Sequence, residues 1–320
     1  MSVGGESARL VGKQVAIALI ALLLSSFLVF SALYVAPGNT ITFLSGGRTL
    51  SPEAIETLNE EYRLDEPFFE RYGHWLGDVA QGDFGRSIVS RAEVGALIGP
   101  RVGTTLLLMI MAGVITIVGG VLLGMLAGLS GTRTRNVVNG AANFAMAIPA
   151  FVLASLLIAL FAVSLGWFPT FGSGSGLFDQ IYHLFLPSIA LALGGAAYIG
   201  RVAAVSIEDA AASEYVETAR ARGIPRSAIV RRHVLRNAMI PIATVAGITF
   251  AGLIATSVVV ESAFGLDGLG SLLVQSVLAK DFAVVQAISL ILVAGFLVTN
   301  LVVDLLYLRL DPRLRGKASA

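Results

Sequence analysis

Few side chains in this 320-residue sequence are spaced for catalysis. His74, His183 and His233 lie far apart and fit no ligand pattern such as HExxH, so none has a partner for holding a metal. Asp267, between glycines in Gly265-Leu266-Asp267-Gly268, is the type of acid that a membrane hydrolase uses, but it falls in a loop expected outside the bilayer. No second membrane aspartate is placed to share the work, Asp304 falling near the cytoplasmic end of the last expected span. The absence of cysteine removes disulfides, thiolate metal sites and a thiol nucleophile. No GxxxxGK[ST] loop is present to cradle a nucleotide phosphate, so any active transport must draw its energy from a partner.

The informative stretch is Ser213 to Pro241, SEYVETARARGIPRSAIVRRHVLRNAMIP. Ser213 suits a helix cap, with Glu214 and Glu217 placed against the positive end of the helix dipole. Gly223 suits the left-handed position that ends a helix, and Pro225 suits the first position of the next. The spacing predicts two short helices joined by a tight corner, a hairpin standing out from whatever holds its ends. Arg232 and Arg236, four apart, share a face of its second arm. A basic loop that folds back on lipid headgroups is the competing reading of the same residues.

What holds the hairpin is a membrane. Hydrophobic residues make up 56% of the chain and charged residues 13%, with a mean hydropathy of +0.82. The apolar residues gather into runs of roughly 20, the length that crosses the hydrocarbon. Six are expected: 15–36, 104–129, 138–165, 184–204, 239–260 and 284–306. The first, preceded by Arg9 and Lys13, is longer than the apolar core of a cleaved signal peptide, the alternative for an N-terminal run. Gly120, Gly124 and Gly128 in the second form a doubled small-xxx-small stripe for close helix packing. Pro149, Pro187 and Pro241 lie within or beside spans, where kinks are common.

Residues 37–103 form the long hydrophilic stretch. Ser51-Pro52-Glu53 predicts a short helix running towards Leu64, and Pro67 opens another. Phe68, Phe69, Tyr72, Trp75, Leu76 and Val79 recur at spacings of three and four on that second helix, giving an apolar face for the bilayer interface or a neighbouring helix.

If both termini are cytoplasmic, fifteen of the 22 basic residues fall inside, among them Arg133, Arg135, Arg220, Arg222, Arg226, Arg231, Arg232 and Arg236, which satisfies the positive-inside bias. Arg201 and Asp304 are the ionisable residues within expected spans, both near the cytoplasmic ends, where snorkelling or a local pair satisfies them. No carboxylate or histidine sits at the midplane to relay ions, which weighs against an ion-coupled carrier. A net charge of +1 gives no general attraction to nucleic acid.

The hairpin segment resembles the EAA loop of ABC importer permeases, with Glu217-Thr218-Ala219 and Gly223 at the matching positions. TARARG followed by RRHVLRNAMIP resembles the variant of the dipeptide, oligopeptide and nickel importer family, in which Thr218 stands for the middle alanine and the generic trailing I-x-L-P is out of register. Ala36-Pro37-Gly38, Gly82-Asp83-Phe84-Gly85 with Ser87, and Leu310-Asp311-Pro312-Arg313 are similar to counterparts in the first, B-type permease of such importers. Glu261 and Phe264 also match. Asp267-Gly268-Leu269-Gly270 departs from the usual Pro-Gly-Leu-Gly.

The resemblance implies an all-α integral membrane protein of six transmembrane helices in the type I ABC importer permease architecture. Residues 1–14 would be a cytoplasmic N-terminus, 15–36 the first span, 37–103 extracytoplasmic, 104–308 the core with its coupling loop at 209–238, and 309–320 a cytoplasmic tail. It implies a second homologous permease, two cytoplasmic ATPases that bind ATP and Mg, and an extracytoplasmic substrate-binding protein, in the bacterial inner membrane. The chain itself would hold no cofactor and catalyse nothing. The ATPase-coupling loop would comprise Glu214, Tyr215, Glu217, Thr218, Ala219, Arg222, Gly223, Pro225, Arg232, His233, Arg236, Asn237 and Pro241. Dipeptides or oligopeptides are the expected cargo, with nickel chelates, haem and glutathione as alternatives within the family.

Overall fold

The computed structural model describes residues 3–35, 51–53, 56, 59 and 65–310, and for 3–11, 32–35, 304 and 306–310 the backbone alone. Most of the helix expected from Ser51 to Leu64, the side chain of Asp304, and the motifs at Ala36-Pro37-Gly38 and Asp311-Pro312-Arg313 lie outside the described residues. Those described are almost wholly helical: α1 Val3–Val35, α2 Phe68–Ala80, α3 Val94–Leu129, α4 Thr132–Ala147, α5 Ala150–Leu157, α6 Leu177–Ala211, α7 Glu214–Ala221, α8 Arg226–Ile229, α9 Leu235–Ala263, α10 Leu269–Ala279 and α11 Phe282–Leu310. In lipid only structures that satisfy their own backbone survive, and helices do so locally.

Among the described residues five runs are long and apolar enough to cross a bilayer: Gly12–Ser31, Val94–Leu129, Leu177–Ala211, Arg226–Ala263 and Phe282–Val303. The sixth expected run differs from its sequence reading. It is not one helix but α4 and α5 joined at Ile148-Pro149 with a bend of 102°. Pro149 has no N–H to continue α4, and with φ −60° and ψ 142° it stands at the N-cap of α5. A wide π-helical turn, Ile158–Ser164, completes that second limb. Pro187 and Pro241, by contrast, lie inside helices that continue through them.

The centre of the bundle is the α3–α6 seam, and its glycines show why the helices can touch. A β-carbon built on Gly124 would stand 2.2 Å from the Ala203 β-carbon, and one on Gly128 would stand 2.8 Å from the Ala204 carbonyl oxygen. Lipid chains are as apolar as leucine, so this closeness, through dispersion rather than hydrophobic burial, holds the pair together. The stripe read from sequence therefore serves packing within the chain.

Around the seam lie two ends. At one, Ile199, Ala203, Ile207, Ile242 and Ala246 continue into the hairpin through Val216, Ala219, Ile229 and Val234. At the other, Val94 and Ile98 pack with Leu269, Leu272, Val284 and Ile288. The apolar face of α2 settles on α1: Phe68 and Tyr72 meet Phe27 and Phe30 edge to face, and the Tyr72 hydroxyl lies 2.8 Å from Ser26 Oγ. Phe69 instead points outward.

Candidate coupling hairpin

The hairpin begins where α6 ends. Ser213 has the extended backbone of a capping residue, φ −75° and ψ 151°, and its carbonyl accepts the N–H of Val216 at 2.9 Å and of Glu217 at 3.2 Å. Its hydroxyl does not cap α7 as the sequence suggests. It turns back and donates to the Ala210 carbonyl at 2.6 Å, tying the hairpin to α6. Glu214 and Glu217 stand in the first turn of α7, where the exposed N–H groups favour negative charge.

Gly223 closes the first arm at φ +74°, the left-handed region that a side chain would strain. The Ile224 N–H reaches the Ala219 carbonyl at 3.2 Å and the Gly223 N–H reaches Arg220 at 3.0 Å, the paired 6→1 and 5→2 bonds of a Schellman ending. Pro225 then sits at the N-cap of α8, one position earlier than its spacing implies, and its carbonyl accepts Ala228 and Ile229.

The second arm differs more. It is not a short separate helix: α8 runs through a π-helical turn, Val230–Val234, into α9, one 38-residue run from Arg226 to Ala263. Arg232 and His233 lie in that π turn, so the register between Arg232 and Arg236 is wider than an α-helix gives.

Burial divides the candidate residues. Glu214, Tyr215, Glu217, Thr218, Arg222, Gly223, Pro225, Arg232, Arg236, Asn237 and Pro241 are exposed, and His233 is half-buried. Ala219 is buried beneath α7 beside Val216, where a larger residue would lift the arm off the core. Thr218 donates to the Glu214 carbonyl at 3.0 Å and Asn237 to that of His233 at 2.8 Å, so both serve their own helices. Arg226 reaches the Leu129 carbonyl at 3.4 Å, joining the second arm to the end of α3. Arg135 and Glu208 pair between α4 and α6 close by.

Two buried acids at the opposite end were not read as a site from sequence. Glu261, 0% exposed, accepts Thr105 Oγ1 at 2.9 Å and the N–H groups of Gly270 at 2.7 Å and Ser271 at 3.3 Å. Asp281, also buried, accepts the Ser87 hydroxyl and the Ile88 N–H, so Glu261 fastens the first turn of α10 and Asp281, just past its last residue, ties the other end to the segment before α3. The matches at Glu261 and Ser87 were the available signal. The Asp267 N–H donates to Ser173 Oγ at 2.7 Å, a bond that the proline expected there from the family resemblance would lack the hydrogen to make. His74 and His183 lie against Glu66 and Asp179, and no cluster of three His, Asp or Glu side chains suited to a metal occurs among the described residues.

Residues 120–316 match the family described as "Binding-protein-dependent transport system inner membrane component", and residues 8–109 match the N-terminal region of such membrane components. The glutathione transport system permease protein GsiC of Escherichia coli K12 is 38% identical over 301 residues, covering 92% of this chain and 95% of that one. GsiC of Shigella flexneri is 37% identical over the same length. In fold the chain is similar to the inward-facing MetNI methionine ABC transporter, with a TM-score of 0.57 at 22% identity over 67% of this chain and 96% of the other. A second solved structure, an amino acid ABC transporter with histidines, gives 0.52 at 21% identity, covering 67% and 94%. The hairpin, the helical bundle and these matches together make the chain a member of the binding-protein-dependent inner membrane component family, an ABC importer permease of the dipeptide/oligopeptide type.

Proposed function

We propose that this permease forms, with a second homologous permease, a path for short peptides across the bacterial inner membrane. In this reading two cytoplasmic ATPases bind and hydrolyse ATP with Mg, an extracytoplasmic binding protein delivers the cargo, and this chain performs no chemistry of its own. Both termini and the hairpin face the cytoplasm, in keeping with the arginines gathered at the hairpin end.

The observation that carries the mechanism is the continuity of Arg226–Ala263. An ATPase seated on the exposed face of α7, at Glu214, Tyr215, Glu217 and Arg222, moves a corner fixed by Gly223. That movement passes through α8 and the π turn into α9 without a loop to absorb it. At the far end of α9, Glu261 holds α10. The access equilibrium shifts only because the ATPases contact the hairpin differently in their nucleotide states.

For cargo, the named relative transports glutathione, itself a tripeptide, which favours glutathione alongside dipeptides and oligopeptides within one chemical class. Reconstituting both permeases with the ATPases and the binding protein, then following uptake of labelled peptides of graded length beside glutathione, tests this reading. ATP-dependent uptake of at least one of them is expected. Uptake of none, with ATP hydrolysis intact, would remove the peptide assignment.

A further inference from the structure

The α4–α6 seam is polar where a membrane bundle should be apolar. On α6, Tyr198, Arg201, Val205 and Glu208 are exposed along one stripe; on α4, Arg135, Asn139 and Asn143 recur at the same helical spacing. The stripes meet twice. Arg135 pairs with Glu208 at the hairpin end, and roughly 10 Å deeper Arg201 Nη1 reaches Asn143 Oδ1 at 3.4 Å. Gly200 packs on Leu123 and Gly124, so Arg201 lies level with α3 about 8 Å inside its end at Leu129.

Arg201 differs from the other seam cation. Arg135 has its carboxylate, whereas among the described residues no carboxylate lies within ion-pair distance of Arg201. A guanidinium at this depth is costly against lipid unless it snorkels to the headgroups, and Arg201 instead reaches across the seam to Asn143, the arrangement of an intramembrane arginine that faces water or an anion. Its fork of donors matches a carboxylate, and Asn143 and Tyr198 add neutral hydrogen-bonding groups beside it.

We propose that the α4–α6 seam lines the hairpin-side half of the translocation path, and that Arg201 binds the C-terminal carboxylate of the peptide passing through it. Peptides of differing sequence share their backbone termini, so a single fork that reads the carboxylate serves many cargoes. The inference rests on the peptide reading above.

Its test uses the whole complex of both permeases and ATPases in lipid nanodiscs, without binding protein or nucleotide, and a labelled trialanine with either a free carboxylate or a C-terminal amide. The parent is expected to bind the free acid about tenfold more tightly than the amide, the effect of one charge-assisted contact. R201Q should weaken the acid alone and erase the preference; R201K, keeping a point charge, should retain part of it. No preference in the parent, no change in R201Q, or equal weakening of acid and amide would overturn the proposal, the last pointing to an ion pair with the companion permease or a lipid phosphate. Peptide uptake by the parent is measured in parallel. A parent that imports peptide while R201Q keeps the acid preference defeats this inference alone, whereas a parent that imports none defeats the peptide reading itself.

Discussion

Glu261, near the end of α9, accepts the backbone N–H of Gly270 in the first turn of α10 at 2.7 Å. The same oxygen lies 3.3 Å from the Ser271 nitrogen, and the other takes the Thr105 hydroxyl. Thr105 Oγ1 in turn accepts the Leu269 N–H at 2.9 Å, so one buried carboxylate and one hydroxyl satisfy the start of α10 and join it to α3 and α9. The close fit explains the local glycines: a β-carbon on Gly268 would stand 2.2 Å from Glu261 Oε2.

Glu261→Ala should therefore destabilise the purified complex by about 3 kcal/mol, because two backbone donors and a hydroxyl lose their acceptor in a dry site. Glu261→Gln keeps one oxygen for the N–H groups and should cost about a third of that. Thermal unfolding of both variants in the same detergent separates the two values. Equal, small losses would show that water replaces the carboxylate.

Gly124→Ala should also destabilise, by about 2 kcal/mol, since its methyl would fall 2.2 Å from the Ala203 β-carbon and the α3–α6 seam must open. Ala203→Gly removes the opposing methyl. The double variant should recover most of the lost thermal stability, and failure of that rescue would place the strain elsewhere.

How much of this was legible in the sequence depends on the range of the interaction. The glycine stripe, the Gly223 corner and the apolar runs are local patterns with a fixed physical meaning, and each appears in the fold. Pro149 was legible as a disturbance but not as a 102° break, because the size of a bend is set by what the two limbs pack against. The π turn at Val230–Val234 leaves no signature in residue spacing, so the second arm reads as a separate helix although it continues into α9. Ser213 has the residue type of a cap, yet a competing carbonyl at Ala210 takes its hydroxyl. Glu261 and Thr105 are 156 positions apart, and only the folded chain brings them together.

Orientation is testable because the chain has no cysteine of its own. Single cysteines at Leu278, 80% exposed near the end of α10, and at Ser227, exposed in α8, should label from opposite sides. A membrane-impermeant maleimide added to intact cells should reach Leu278→Cys and not Ser227→Cys. Ser173, though in an outer loop by sequence, is only 7% exposed and makes a poor reporter. Labelling at Ser227→Cys alone would invert the proposed topology.

Gly223 offers the sharpest test of the coupling role. Nothing lies within 4 Å of where its β-carbon would stand, so a substitution there meets no clash and the cost is conformational. Holding valine at φ +74° costs about 1–2 kcal/mol, small beside the insertion of the apolar spans, and Gly223→Val should remain in the membrane and assemble. The strain is relieved if the corner opens, which swings α7 and its acidic first turn relative to the run into α9. Transport should then fall at least tenfold, and ATP hydrolysis should lose its response to loaded binding protein. Gly223→Asn, which tolerates the left-handed region, should lose much less. Glu217→Lys leaves the corner intact but places a cation at the positive end of α7 on the exposed face, and should uncouple in the same way. Measuring membrane abundance, assembly, ATP hydrolysis and uptake for the three variants beside the parent distinguishes a lever from a passive loop. If Gly223→Val and Glu217→Lys both assemble and transport as the parent does, the hairpin is left as a basic surface resting on the lipid headgroups, with coupling to be sought elsewhere on the chain.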